Sequence, residues 1–139
     1  MSGTFPTGRG APTRGRAPTQ AKLIFVVDDD PWIQQVLRLS LEDEGYYVVV
    51  ASSGEEALEQ LAQCRPSLIV LDWMMPRMNG PEFARELNRR GLRPDIPVLL
   101  LTAAGGPTAK AAMIGADACL AKPFDLTELL NEVAHLVAD

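Results

Sequence analysis

Five short apolar runs, separated by segments of helical period, constrain this chain more than any other feature. Lys22–Val27, Tyr46–Ala51, Leu68–Leu71 and Pro97–Thr102 are dense in aliphatic and β-branched residues, and Ala118–Ala121 is a weaker fifth. Continuous runs of this kind suit strands covered on both faces, not strands with one wet side. After the first run, Asp30 stands as a helix cap with Pro31 at the first helical position, and Ile33, Val36, Leu37 and Leu41 recur at helical spacing before Gly45. Ser53-x-x-Glu56 reads as a capping box ahead of Ala57, Leu58, Leu61 and Ala62, with Pro66 as the stop. Asn79-x-x-Glu82 precedes Phe83 and Leu87, and Thr108–Ile114 makes a short helix closed by Gly115. Asp125-x-x-Glu128 opens a last helix bearing Leu126, Leu129, Leu130, Val133, Leu136 and Val137. Five strands alternating with five helices predict an α/β fold with a parallel sheet covered on both faces.

Residues 1–20, MSGTFPTGRGAPTRGRAPTQ, differ in kind. Rich in Gly, Pro, Thr and Arg, they offer too little apolar surface to offset the entropy of ordering, and they read as a disordered tail ahead of a domain over 21–139. The plain reading is a solvated leader; the sharper one is a weak arm for an acidic partner or nucleic acid, on Arg9, Arg14 and Arg16. The whole chain carries a formal charge of −5, which opposes direct nucleic-acid binding by the domain. No apolar run approaches the roughly 20 residues of a membrane helix, and the first 20 residues hold no signal-like apolar stretch. A cytoplasmic location without membrane contact is therefore expected. Two cysteines, Cys64 and Cys119, and one histidine, His135, exclude a disulfide scaffold and a Cys/His zinc site.

In parallel α/β sheets ligands gather beyond the carboxyl ends of the strands. Asp28, Asp29 and Asp30 follow the first run, Asp72 ends the third, Thr102 ends the fourth, and Lys122-Pro123 follows the fifth. All of them fall at one rim of the predicted sheet. Like charges about 4 Å apart repel by roughly 4 kcal/mol at an effective dielectric near 20, so Asp28, Asp29 and Asp72 need counter-charge. Lys122 supplies one, and an all-oxygen site favours Mg²⁺, with Mn²⁺ as a substitute, for the rest. Asp72 beside a metal and an ammonium is placed to attack phosphorus and form an acyl phosphate, with Thr102 donating to a phosphoryl oxygen. No P-loop pattern is present.

These stretches together resemble the receiver domain of bacterial two-component response regulators. The resemblance rests on Val26-Val27-Asp28-Asp29-Asp30, Leu71-Asp72-Trp73-Met74-Met75-Pro76-Arg77-Met78-Asn79-Gly80, Leu101-Thr102-Ala103, Gly115-Ala116-Asp117 and Lys122-Pro123-Phe124, in order, across about residues 22–137. It implies a flavodoxin-like, doubly wound five-stranded sheet of order 2-1-3-4-5. It implies Asp72 as acceptor of a phosphoryl group from a histidine kinase or phosphotransfer protein. Asp29 is then the direct Mg²⁺ ligand, Asp28 acts mainly through water, and Met74 gives its backbone carbonyl. Lys122 and Thr102 hold the phosphoryl oxygens, and the bond to Pro123 is cis. Downstream proteins read the face formed by the fourth helix, fifth strand and fifth helix.

Three departures stand out. Cys119 occupies the switch position that carries an aromatic in the family. The segment from Thr102 to Gly115 is about two residues short, which predicts a short fourth helix. Met74 and Ala104, two residues after the acceptor and after Thr102, have no side chain able to orient water. Among the remaining residues, Trp32 and Cys64 read as packing, Trp73 as either lining the site or a half-exposed loop aromatic, His135 as a helix-face residue and Cys119 as a small buried hydrophobe. The leading expectation is a stand-alone response regulator that catalyses only its own phosphorylation and dephosphorylation. The alternatives are a phosphorylation-independent, receiver-like interaction module and a small phosphohydrolase.

Overall fold

A computed structural model describes residues 21–103 and 106–138. The readings of the 1–20 tail and of Ala104 lie outside the described residues. In chain order the elements are β1 (Leu23–Val27), α1 (Pro31–Asp43), β2 (Tyr47–Ala51), α2 (Gly54–Leu61), β3 (Leu68–Asp72), α3 (Gly80–Arg89), β4 (Val98–Thr102), α4 (Pro107–Ile114), β5 (Ala118–Ala121) and α5 (Leu126–Val137). The five strands form one sheet of order β2-β1-β3-β4-β5, parallel throughout.

Strand alternation divides the core in two. Phe25, Val27, Ile69 and Leu71 point to one face, where they pack with Phe83 and Leu87 of α3 and with Ala57 and Leu58 of α2. Ile24, Val26, Val70, Leu99 and Leu101 point to the other, against Leu37 and Leu41 of α1 and Leu129 and Val133 of α5. Phe25 and Phe83 have no exposed surface, and each contributes about 2–3 kcal/mol of apolar burial. Helix α4 is the exception: among its described side chains Ala111 is the buried one, and Met113 is 73% exposed.

The helix starts follow the chemistry of their caps. Asp30 accepts from the Trp32 amide at 2.9 Å, and Asp125 accepts from the Thr127 amide at 2.8 Å. Asn79 and Glu82 form the full reciprocal box, each bond 3.0 Å. The expected box at α2 is only half made. Ser53 accepts from the Glu56 amide at 3.1 Å, but the Glu56 carboxylate takes the Ser52 amide at 2.6 Å instead of that of Ser53. Helix α2 also ends at Leu61, before Pro66, because the Ala62 and Gln63 amides tighten onto the carbonyls three residues back. Ala62 is therefore exposed and contributes nothing to the apolar face. Gly115 closes α4 in the left-handed region, at φ 68°, where a side chain would be strained.

One polar clamp ties two loops together beneath α4. Arg93, its side chain 8% exposed, donates to the Ile96 carbonyl at 2.6 Å, to Asp117 Oδ2 at 2.8 Å and to the Gly115 carbonyl. Asp117 in turn accepts the Val98 amide at 2.8 Å. Charge-assisted bonds of this kind are worth about 1.5–3 kcal/mol each, partly offset by desolvation. Arg93→Ala is expected to lower stability by about 2–4 kcal/mol in urea denaturation. Arg93→Lys is expected to recover little of this, because an ammonium cannot span three acceptors with a fixed fork. A loss below about 0.5 kcal/mol, the scatter of ordinary surface substitutions, would show the clamp to be incidental.

Candidate functional site

The strand register sets the site. Val27 pairs with Leu71, Asp72 with Leu101, and Thr102 with Ala121. The carboxyl ends therefore step across the sheet by about one residue per strand, and Asp28, Asp72, Thr102 and Lys122 leave it at one rim. The ladder runs one residue further on each strand: the Asp28 amide reaches the Ala51 carbonyl at 3.1 Å, that of Trp73 reaches Leu101 at 2.8 Å, and that of Lys122 reaches Thr102 at 2.7 Å. These bonds hold the backbone under each functional side chain.

Carboxylate oxygens of Asp28, Asp29 and Asp72 lie within 4.8 Å of one another. Asp28 is 1% exposed and Asp72 5%, while Asp29 is exposed. Asp30 is diverted from the cluster, since its carboxylate caps α1. Asp28 is fixed on both sides: Oδ1 accepts the Asp30 amide at 2.9 Å and Oδ2 meets Lys122 Nζ at 3.0 Å. Lys122 also sits 3.2 Å from Asp72 Oδ1, so one ammonium bridges two buried carboxylates. The Lys122–Pro123 peptide is cis.

The electrostatics follow from this crowding. Burial, with the neighbouring Asp28 charge, pushes the Asp72 carboxyl from 3.8 up to about 6, although Lys122 and the Met74 amide pull it down. For Lys122, burial opposes the charged form, but hydrogen bonds and charge from Asp28 and Asp72 outweigh it and hold the ammonium above its ordinary value. Three carboxylates facing one such ammonium leave the cluster under-neutralised, and closely set oxygen donors of this kind suit a hard divalent cation.

Thr102 is wholly buried at the end of β4. Its Oγ1 accepts from Lys110 Nζ of α4 at 3.2 Å, and the same ammonium lies 5.4 Å from the centroid of the Trp73 ring. Sequence reasoning missed Lys110. Its only signal was a cation one turn into a helix that begins just beyond Thr102. Gly80 packs against the turn after Asp72: a Cβ there would lie 3.0 Å from Trp73 Cα and 3.2 Å from the Asp72 carbonyl. That close approach favours glycine, since a side chain would push the backbone after Asp72 by a few tenths of an ångström.

Of the other expectations, some hold and some do not. Trp32 is 71% exposed and is no packing residue, because α1 turns its second position to solvent and buries Leu37 and Leu41 instead. Met74 is 67% exposed. Trp73 is half-buried under Lys110, which combines the two readings it was given. Cys119 is half-buried, on the face of β5 opposite Ala118 and Leu120. Cys64 packs against the first core, and His135 is exposed on α5. No helix among the described residues is long and apolar enough to cross a membrane.

Comparison with known proteins agrees with this geometry. The sequence model described as the response regulator receiver domain matches residues 24–134. Response regulator MprA of Mycobacterium tuberculosis is 46% identical over 116 residues, covering 82% of this chain and 50% of that protein. The chain thus spans about half the length of the curated relatives it matches. A response regulator from Chloroflexus aurantiacus aligns with a TM-score of 0.79 and 35% identity over 86% of this chain and all of that one. The chemotaxis protein CheY4 of Vibrio cholerae gives 0.78 and 32% over 84% and 99%. TrrA of Thermotoga maritima, solved with Mg²⁺ and a beryllium fluoride, gives 0.74 and 36% over 83% and 98%. With the sheet order, the acidic rim and the bridging lysine in place, the chain belongs to the response regulator receiver domain family, the phosphorylation-accepting module of two-component signalling.

Proposed function

We propose that Asp72 is the phosphoryl acceptor, taking its group from a phosphohistidine on a histidine kinase or phosphotransfer protein. The observation that carries this is the setting of Asp72: a buried carboxylate with one oxygen held by Lys122, beside two further carboxylates able to share a cation. Asp72 Oδ1 faces Lys122 at 3.2 Å, and Oδ2 is the attacking atom. A new O–P bond forms as the N–P bond breaks, and the electron pair leaves on the imidazole nitrogen, which takes up a proton. Asp28, Asp29, Asp72 and the Met74 carbonyl would hold Mg²⁺, which when bound neutralises charge on the transferring group. Lys122 holds one equatorial oxygen, and the Thr102 hydroxyl, whose lone pair already accepts from Lys110, directs its proton to another. Output passes through the surface of α4, β5 and α5 to a partner protein or onward to another phosphotransfer protein.

Phosphoramidate with Mg²⁺ tests this directly. Intact-mass measurement is expected to show a gain of about 80 Da, one phosphoryl group, that disappears with EDTA and in Asp72→Asn. A full-sized adduct in Asp72→Asn would move the acceptor elsewhere. No adduct in the parent chain would favour a phosphorylation-independent interaction module.

A further inference from the structure

Lys110 stands outside the set of residues assigned above, yet it reaches into the same site. Its ammonium lies between the hydroxyl of Thr102 and the ring of Trp73, the residue next to Asp72. We propose that Lys110 is a second phosphoryl-directed cation: a positioning residue that binds the phosphoryl group on Asp72 together with Thr102 and so ties α4 to the state of the acceptor. This rests on Asp72 being that acceptor.

Reach supports it. A phosphoryl oxygen accepting from Thr102 Oγ1 sits about 2.7 Å from that atom. Lys110 Nζ is 3.2 Å from the same atom. The two are therefore at most about 6 Å apart before any rotation of the lysine stem, which has four rotatable bonds.

Charge supports it as well. Phosphorylation converts one carboxylate into a group carrying about −1.5 to −2, a gain of about half to one negative charge in a buried pocket. Lys122 is already shared between Asp28 and Asp72, so the added charge calls for another cation, and Lys110 is poised beside it.

The fold supplies the third support. Position 119 holds a cysteine, too small to link β5 to the Thr102 loop by a swinging ring. Helix α4 has no side-chain cap at its start, and none of its described large side chains is fully buried, so little apolar packing resists its movement. A lysine that exchanges the Trp73 face for a phosphoryl oxygen moves with its helix, and α4 lies on the surface partners read.

Beryllium fluoride with Mg²⁺, a non-covalent phosphoryl mimic, tests the proposal in a Trp32→Phe background, where Trp73 is the sole indole. Titration midpoints of Trp73 emission are read separately for Mg²⁺ alone and for beryllium fluoride at saturating Mg²⁺. Lys110→Met and Lys110→Gln are each expected to weaken the beryllium fluoride midpoint by about tenfold or more. Their Mg²⁺ midpoints should be unchanged or slightly tighter, which also shows that the variants fold. Lys110→Arg is expected to keep most of the affinity. Midpoints for Met and Gln within about twofold of the parent would overturn the proposal and leave Lys110 a structural tether. Weakening in Met alone would overturn it too, since glutamine keeps the hydrogen bond and lacks only the charge. A parent chain that takes neither beryllium fluoride nor phosphoryl would instead overturn the assignment of Asp72.

Discussion

Asp72→Asn is expected to be more stable than the parent chain at pH 7 in EDTA, by about 1–3 kcal/mol. Burial and the adjacent Asp28 carboxylate raise the folded-state value of Asp72 from 3.8 to about 6. An acid raised on folding binds more protons in the native state than in the unfolded chain across that interval, so stability falls as pH rises through it. The penalty is absent below about pH 4, develops between about pH 4 and 6, and is complete above. A shift of this size corresponds to about 3 kcal/mol in full, and water at the rim screens part of it. Asparagine keeps the shape and removes the charge, so its urea-denaturation curve should lack that fall. Parallel pH profiles for the two proteins, or a less stable asparagine variant at pH 7, would refute the account. Mg²⁺ at about a thousand times its dissociation constant should reverse the order, because a ligand bound by the native parent then adds about 4.1 kcal/mol. On this account Asp72 is a position where native stability is given up to keep a buried carboxylate.

Lys122→Met is expected to slow phosphoramidate-dependent adduct formation by about 10²–10³-fold, the usual cost of one preorganised donor on a developing charge. Its ammonium is shared between Asp28 Oδ2 at 3.0 Å and Asp72 Oδ1 at 3.2 Å, so it is in place before the phosphoryl group arrives. Methionine keeps most of the stem and loses the charge. The same change leaves Asp28, 1% exposed, without its ammonium, and should cost about 1–3 kcal/mol in EDTA, opposite in sign to Asp72→Asn. In the double variant the stability loss should shrink, since only one carboxylate then lacks its partner. Mg²⁺ affinity should hold or rise as a competing positive charge leaves. An adduct rate within tenfold of the parent would remove Lys122 from the chemistry, and unchanged stability would show that the bridge is not formed in solution.

The sequence alone reached the five strands and five helices, because β-branched runs and capped amphipathic segments are local signals. It also reached Asp28, Asp29, Asp72, Thr102 and Lys122. Each stands at or just after the end of an apolar run, and a parallel sheet delivers all such positions to one rim. Side-chain contacts that no motif marks, such as that of Lys110 with Thr102, were beyond it. Asp28 and Asp30 are both aspartates after β1, yet the first pairs with Lys122 and the second caps α1. Pro31, directly after Asp30, already marks Asp30 as the cap. Trp32 faces water because the rotation of α1 about its axis is set by Leu37 and Leu41 seating on the sheet.

Element type follows from interactions between near neighbours, which the chain carries wherever it goes. The Arg93 clamp on Asp117 and Gly115, and the meeting of Lys110 with Thr102 and Trp73, depend on where whole helices and loops come to rest. That placement is a sum over many weak contacts spread along the chain. Only the packed structure settles it.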